Sequence, residues 1–374
     1  MACVWLTTKD AIMTPAPRDL LPSPVPVMLI DPDGRPTAAA GLDLPQPAEL
    51  LRAYAALVMA RRFNDQAYAL VRQGRLAVYP SSQGQEACQV AAALVLDQGD
   101  WLFPTYRDTA AVVTRGVDPV QVLVLLKGDW HSGYDTQSHR VAPLATPLAT
   151  QLLHAVGVAH AARLRGEPTV VMAMCGDGAT SEGDFHEALN FAAVFRTPVV
   201  FFVQNNEYAI SVPLAKQSVA PSLAHKGIGY GVPGERVDGN DVAALLAVLG
   251  GAVARARSGE GPQLIEAHTY RMQAHTNADD ASRYRGQDEV AAWVARDPIT
   301  RLERHLRERG VLTDEAVAAA AAQAEQMAAH TRAGLNTDVE PRPDDLFDFV
   351  YARRTPQLAE QAALVADELA REES

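Results

Sequence analysis

The feature that most restricts the fold of this 374-residue chain is an alternation between residues 168 and 270. The apolar runs TVVMAMC (169–175), VVFFV (199–203) and QLIEAHT (263–269) are separated by helical stretches. One helix is read from about Glu182 to Phe195, the other as DVAALLAVLGGAVARA (241–256). Runs so uniformly apolar leave no wet face, and strands that alternate with helices need crossover connections. The expected fold class is therefore α/β, a parallel sheet with helices on both faces. Sheets of this kind bind ligands at their carboxyl edge.

The flanks read differently. Residues 1–46 are rich in Pro, lack periodicity and contain the turn cluster DPDGRP, which predicts an extended arm lying on another surface. From Pro47, apolar Leu50, Leu51, Tyr54, Leu57, Val58, Phe63, Tyr68 and Val71 recur at helical spacing until Gly74. Shorter helices are expected at 85–96 and 119–127, with GDWLFPTYRD (99–108) as a loop between them. After a polar loop at 271–288, the Ala-rich stretch 313–333 and the final segment are expected to be helical and peripheral. The organisation expected is an arm (1–46), an α/β domain (47–355) and a C-terminal tail (356–374).

Composition excludes several classes. No apolar run approaches the roughly 18 residues of a membrane span, and 48% apolar with 21% charged residues is ordinary for a globular chain. A formal charge of -12 disfavours nucleic acid or an anionic membrane as main partner. The first twenty residues lack a basic segment followed by an apolar stretch, and Cys3, Cys88 and Cys175 show neither metal nor disulfide spacing, which suits the cytoplasm. No G-x-G-x-x-G follows a strand and no Walker-type lysine is present, so a nucleotide-binding dehydrogenase is disfavoured.

Asp177 follows the first strand of the alternation and Asn206 follows the next, so one crossover delivers both to neighbouring points on the same edge. Gly176 and Gly178 allow a tight turn there, and a helix expected to begin near Ser181 offers free N–H groups to phosphate. A carboxylate about 4 Å from a phosphate oxygen repels it by several kcal/mol at an effective dielectric of about 20, so a divalent cation is the natural intermediary. Mg²⁺ takes oxygen ligands, here Asp177, Asn206 and the carbonyl of Tyr208. Asp-Gly and Asn-Asn are each common turn pairs; it is their joint occurrence about thirty residues apart across a βαβ unit that points to a site.

GDG, a helix, a strand and NN together resemble the motif of thiamine diphosphate enzymes, in which the Asp and the second Asn hold Mg²⁺ at the cofactor's diphosphate. RQGRL (72–76), GQEA (84–87), PTYRD (104–108), PLATQ (147–151), RVDGND (236–241), GEGPQLIEAHTYR (259–271) and AHTNADDASRYR (274–285) narrow the resemblance. Over residues 47–355 the chain is similar to alpha subunits of the decarboxylating component of 2-oxo acid dehydrogenase complexes.

That resemblance implies the thiamine diphosphate-binding fold and a set of cofactor-binding residues: Tyr106, Arg107, Thr146, Leu148, Gly176, Asp177, Gly178, Ala179, Asn206 and His275. Tyr106 and Arg107 would contact the diphosphate, Thr146 and Leu148 would meet the aminopyrimidine through backbone groups, and His275 would act catalytically on a loop that orders with cofactor. Thr150 and Gln151 match a monovalent-cation site, although Ala145 replaces a hydroxyl found in some members. Thr276 stands where relatives carry a regulatory phosphoserine, so that control is not expected, and His131, His139, His186 and His268 receive a structural reading.

The implied activity is oxidative decarboxylation of a 2-oxo acid with reductive acylation of a lipoyl group. The implied partners are a beta subunit in an α₂β₂ heterotetramer and a lipoyl-bearing dihydrolipoyl acyltransferase. Residues beyond about 290 lack a second alternating strand pattern, which in single-chain relatives forms a further α/β domain. The short connection from LLKGDWHSG to PLATQ resembles bacterial pyruvate dehydrogenases, and pyruvate is the substrate expected. PLATQ, ERVDGND and Val78 in place of an aromatic favour the alternative, a branched-chain 2-oxo acid dehydrogenase. A non-catalytic α/β structural or regulatory subunit is the remote alternative.

Overall fold

The computed structural model describes residues 20–38, 41–128, 133–337, 342–348 and 350–372. Cys3 and His131 lie outside the described residues, as do residues 1–19 and 39–40 of the arm and the last two residues of the tail. Residues 1–332 form one compact unit and residues 333–374 a second.

The first unit holds, in chain order, α1 (Pro47–Arg72), α2 (Glu86–Leu94), β1 (Trp101–Phe103), α3 (Thr109–Thr114), α4 (Pro119–Lys127), α5 (Thr136–His139) and α6 (Thr150–Arg165). Then come β2 (Val171–Gly176), α7 (Gly183–Phe195), β3 (Val199–Asn205) and a small hairpin, β4 (Tyr208–Ala209) with β5 (Val212–Pro213). β6 (Gly234–Asp238), α8 (Val242–Arg257) and β7 (Gln263–His268) complete the sheet, α9 (Gln287–Val294) and α10 (Pro298–Glu308) follow, and α11 (Asp314–Leu335) carries the chain past Arg332, the last residue of this unit. The second unit contains α12 (Asp345–Asp348) and α13 (Pro356–Glu372).

The main sheet has the order β1-β2-β3-β7-β6, with every pairing parallel. Alternation splits its side chains between two faces. Val171, Ala173, Cys175, Val199, Phe201 and Val203 form one core with Leu152, Ala155 and Ala159 of α6 and Phe185, Ala188 and Leu189 of α7. The opposite face carries Met172, Val200 and Phe202, all fully buried, and α8 packs on β3, β6 and β7, with α2 against α8. This is the covered parallel sheet that the sequence pattern predicts.

Three local expectations are corrected. GDWLFPTYRD is not wholly a loop: Trp101, Leu102 and Phe103 pair with Val171, Met172 and Ala173 as an edge strand, and α3 follows at once. Three residues buried on every side carry no period to read. β6 runs from Gly234 to Asp238 beside β7, its composition too polar to mark it as a strand. α7 begins at Gly183, because a 3₁₀ turn over Gly178–Ser181, with Asp177 at its N-cap position, precedes it.

The described part of the arm lies on the chain's own sheet edge. Val27 bridges Val237 of β6, and the Leu29 and Ile30 amides donate to the Asp241 carboxylate at 2.7 and 2.8 Å. Arg301 of α10, 2% exposed, closes this joint through the Ile30 carbonyl and Asp238. α11 buries Ala320, Ala324 and Ala328, four apart, while Glu325 pairs with Arg62 of α1 at 2.7 Å. Cys175 is buried and packs. No helix among the described residues is long and apolar enough to cross a membrane.

One turn decides how the helical layer meets the carboxyl edge. Gly84 has φ +96°, and a Cβ there would sit 2.0 Å from the Tyr270 carbonyl oxygen. Replacing Gly84 by Ala should destabilise the protein by about 2–4 kcal/mol in urea unfolding, since a left-handed strain and a backbone clash coincide.

Candidate functional site

Because all five strands are parallel, their carboxyl ends fall on one edge, and the chain turns there at Asp177, Asn206, Thr269 and Pro104. The predicted pair meets. Asp177 is 1% exposed and Asn206 6% exposed, and the Asn206 backbone N–H supports the Asp177 carboxylate. Gln217 donates from Nε2 to Asp177 Oδ2 at 2.8 Å. Asn206 donates from Nδ2 to Gln85 Oε1 at 2.6 Å and accepts the Tyr208 N–H on Oδ1 at 3.3 Å.

The backbone between these oxygens is held in an uncommon form. Glu207 has φ +72° and Ile210 +55°, so the chain doubles back on both sides of Tyr208 and presents its carbonyl inward. Glu207 is fastened by His268, with Nε2 to Oε1 at 2.5 Å, and by the Leu214 N–H donating to its carbonyl at 2.9 Å. Gly178 abuts this hairpin, since a Cβ on it would lie 2.7 Å from the Ala209 Cβ. Gly176 faces open space, with nothing within 4 Å of an added Cβ.

Tyr106, Arg107 and His275 form the second group. Arg107, 5% exposed, donates to the Ser81 carbonyl at 3.0 Å and from Nη2 to His275 Nδ1 and its carbonyl, both at 3.1 Å. The His275 ring stands edge-on to Tyr106 at 6.1 Å between centroids. Arg271, missed by sequence reasoning although its TYR stretch carried the resemblance, joins the two groups. Its Nη1 reaches the Tyr208 carbonyl at 3.2 Å and His275 Nδ1 at 3.4 Å, and its Nη2 reaches the Ile210 carbonyl at 2.6 Å. Nδ1 of His275 thus accepts from two guanidiniums, which places the ring proton on Nε2. Burial, with Arg107 and Arg271 beside it, lowers the His275 pKa to about 4, so the imidazole is neutral near pH 7.

Two charges here are poorly compensated. Every hydrogen-bond acceptor of Arg107 and Arg271 is neutral, and burial with Arg107 alongside pushes the Arg271 guanidinium down. Burial likewise raises the Asp177 carboxyl, despite Gln217, backbone N–H groups and Arg271, which favour its ionised form. Arg271 Nε and Gln217 Oε1 are buried without a hydrogen-bond partner. Buried charges and orphaned polar atoms on one edge fit a bound group bearing both an anion and a cation. Among the described residues no cluster of three or more His, Cys, Asp and Glu side chains gathers, and an ion held at this edge would draw on carboxylate, amide, carbonyl and ligand oxygens, a set that suits Mg²⁺ better than Zn²⁺.

The remaining expected residues are less tightly drawn in. Ala179 is buried in the 3₁₀ turn after Gly178. Thr146 and Leu148 are exposed, on the segment that leads through Ala149, φ +63°, into α6. That segment is tied to the edge where Tyr106 donates to the Ala145 carbonyl at 3.0 Å. Thr150 donates to Asp184 at 3.2 Å, and Gln151 donates to the Met174 carbonyl at 2.8 Å while its Oε1 is buried and unpartnered. His186 bonds Tyr230 at 2.9 Å, in keeping with a structural reading. His268, also read as structural, pairs with Glu207, the residue after Asn206. Gln217 had no signal in the sequence, because a polar residue forty positions downstream reaches Asp177 only through the hairpin.

Replacing Asp177 by Asn should raise the melting temperature of the unliganded protein near neutral pH. A raised carboxyl pKa means the fold binds the proton better than the unfolded chain does, so the wild type loses more stability than the variant as pH climbs above about 4. Melts at about pH 4 to 8 without divalent metal check this; no gap at neutral pH would contradict it.

Comparison with known proteins gives the chain's family. Residues 54–343 match the family model described as dehydrogenase E1 component. The 3-methyl-2-oxobutanoate dehydrogenase subunit alpha of Mycobacterium tuberculosis is 49% identical over 92% of this chain and 95% of that protein. The 2-oxoisovalerate dehydrogenase subunit alpha of Bacillus subtilis is 36% identical over 82% of the chain and 96% of the relative. The pyruvate dehydrogenase E1 component subunit alpha of Staphylococcus aureus is 38% identical over 69% of the chain and 70% of the relative. The chain belongs to the dehydrogenase E1 component family, as an alpha subunit of the thiamine diphosphate-dependent 2-oxo acid dehydrogenases.

Proposed function

We propose that this chain is the alpha subunit of a branched-chain 2-oxo acid dehydrogenase, working with a beta subunit as a cytoplasmic α₂β₂ heterotetramer that acylates the lipoyl group of a dihydrolipoyl acyltransferase. The observation that carries the cofactor assignment is the convergence of a buried carboxylate and two buried guanidiniums with neutral partners on one sheet edge. Asp177, Asn206 Oδ1 and the Tyr208 carbonyl would hold Mg²⁺, and Arg107 with Tyr106 and the amides around Gly176, Gly178 and Ala179 would hold the diphosphate. Thr146 and Leu148 would face the aminopyrimidine through their backbone. Thiamine diphosphate, when bound, supplies the nucleophilic carbon and the electron sink for decarboxylation.

The chain's own share is anchoring and orientation. Arg107 and Arg271 are rigid planar donors already buried, so little is reorganised when an anion arrives. Neutral His275 would offer Nε2–H to the substrate side as a hydrogen-bond donor, its Nδ1 being engaged. A glutamate of the beta subunit would activate the aminopyrimidine, as the family resemblance implies. The division into arm, cofactor domain over 47–355 and tail is proposed on the same resemblance.

For substrate, the preference for pyruvate drawn from the short connection gives way. A relative named for 3-methyl-2-oxobutanoate matches nearly the whole chain at 49%, against 38% over 69% for one named for pyruvate. The reconstituted subunit pair should turn over 3-methyl-2-oxobutanoate with kcat/KM at least about tenfold above pyruvate, about 1.4 kcal/mol in the barrier. Equal rates, or a pyruvate preference, would reject the branched-chain assignment while leaving the cofactor site standing.

A further inference from the structure

Resting on the metal site proposed above, the hydrogen-bond network assigns to Asp108 a role in which it ligates nothing itself: it sets which way the Asn206 carboxamide points. Four buried side chains form a directional line. Gln204 donates from Nε2 to Asp108 Oδ1 at 2.7 Å, Gln85 donates from Nε2 to Gln204 Oε1 at 3.3 Å, and Asn206 donates from Nδ2 to Gln85 Oε1 at 2.6 Å. Exposure is 0% for Asp108, 2% for Gln204, 2% for Gln85 and 6% for Asn206, so water is not at hand to satisfy a reversed amide.

A carboxamide has a donor end and an acceptor end, whereas both oxygens of the Asp108 carboxyl accept here, Oδ1 from Gln204 and Oδ2 from Thr105. Asp108 therefore obliges Gln204 to turn its NH₂ inward. The Gln204 oxygen then faces Gln85, the Gln85 oxygen faces Asn206, and Asn206 is left with Oδ1 on the ligand side. Asp108 is itself pinned, because its Oδ2 accepts from the Thr105 N–H at 2.7 Å and from the Thr105 hydroxyl at 2.8 Å. An asparagine at 108 must keep its oxygen on the Thr105 N–H and so presents NH₂ to Gln204. The line then runs backwards and turns the Asn206 NH₂ toward the cation, against the Tyr208 N–H as well. Asp108 is thus a positioning residue for the metal ligand, acting through two glutamines.

The test is made on the full-length chain, purified as the complex it forms, titrating thiamine diphosphate with Mg²⁺ by calorimetry and counting bound Mn²⁺ by electron paramagnetic resonance. Binding by the wild type is the control for the site itself, and its failure would sink the proposed function rather than this inference. Asp108→Asn should weaken metal and cofactor binding about 10–100-fold, the usual range for an outer-shell partner. The double variant Asp108→Asn with Gln204→Glu has the wild-type net charge and an acceptor-only group one place along the line, so it should return binding to within about threefold. Unchanged binding in Asp108→Asn, or a folded double variant that stays as weak as the single one, would overturn the inference. If Asp108→Asn does not fold, Gln85→Met cuts the line next to Asn206; the same loss supports the relay and wild-type affinity refutes it.

Discussion

The structure turns on charge buried without its complement. Asp177 is removed from water at the end of β2, and burial opposes its ionisation more than Gln217 and the nearby amides favour it. On the same edge two guanidiniums spend their hydrogen bonds on carbonyls, a hydroxyl and an imidazole. An isolated protein gains nothing from that arrangement, because desolvation of an ion is only repaid by a counter-ion at contact. On the function proposed above, a metal with a diphosphate would supply both signs in one ligand, and the instability of the free site would become affinity for the bound one.

The fold is what makes such an arrangement affordable. Parallel strands put every turn from strand to helix on one edge, so Asp177 and Asn206, apart in sequence, become neighbours with no special loop between them. The small hairpin of β4 and β5 then folds the Tyr208 carbonyl and Gln217 back over the edge. Arg271, on the segment after β7, crosses beneath that hairpin and ties it to Arg107 and His275. The arm and α10 secure the far side, where Arg301 closes on Ile30 and Asp238.

Much of this was legible in the residues. Uniform apolar runs and the helices between them announced the sheet, and GDG with NN marked two turns that meet on one of its edges, because both signals are local and are separated by a fixed crossover. β1 and β6 escaped since each is short or polar and is a strand only by pairing with β2 or β7. Gln85, Gln204, Asp108 and Gln217 escaped for a deeper reason: amide direction and carboxylate capping are properties of a network, and no spacing in the chain encodes which oxygen faces which proton. The substrate lies further still from local pattern. Loop length pointed one way and overall likeness points the other.

The most direct measurement is a crystal structure of the assembled complex grown with thiamine diphosphate and Mn²⁺, read at the manganese absorption edge. The account predicts one anomalous peak in each alpha subunit, within direct coordination distance of oxygens of Asp177, Asn206 and the Tyr208 carbonyl and of the diphosphate. Strong cofactor density with that peak absent, or with Asp177 still capped by Gln217 and turned from the ion, would contradict it.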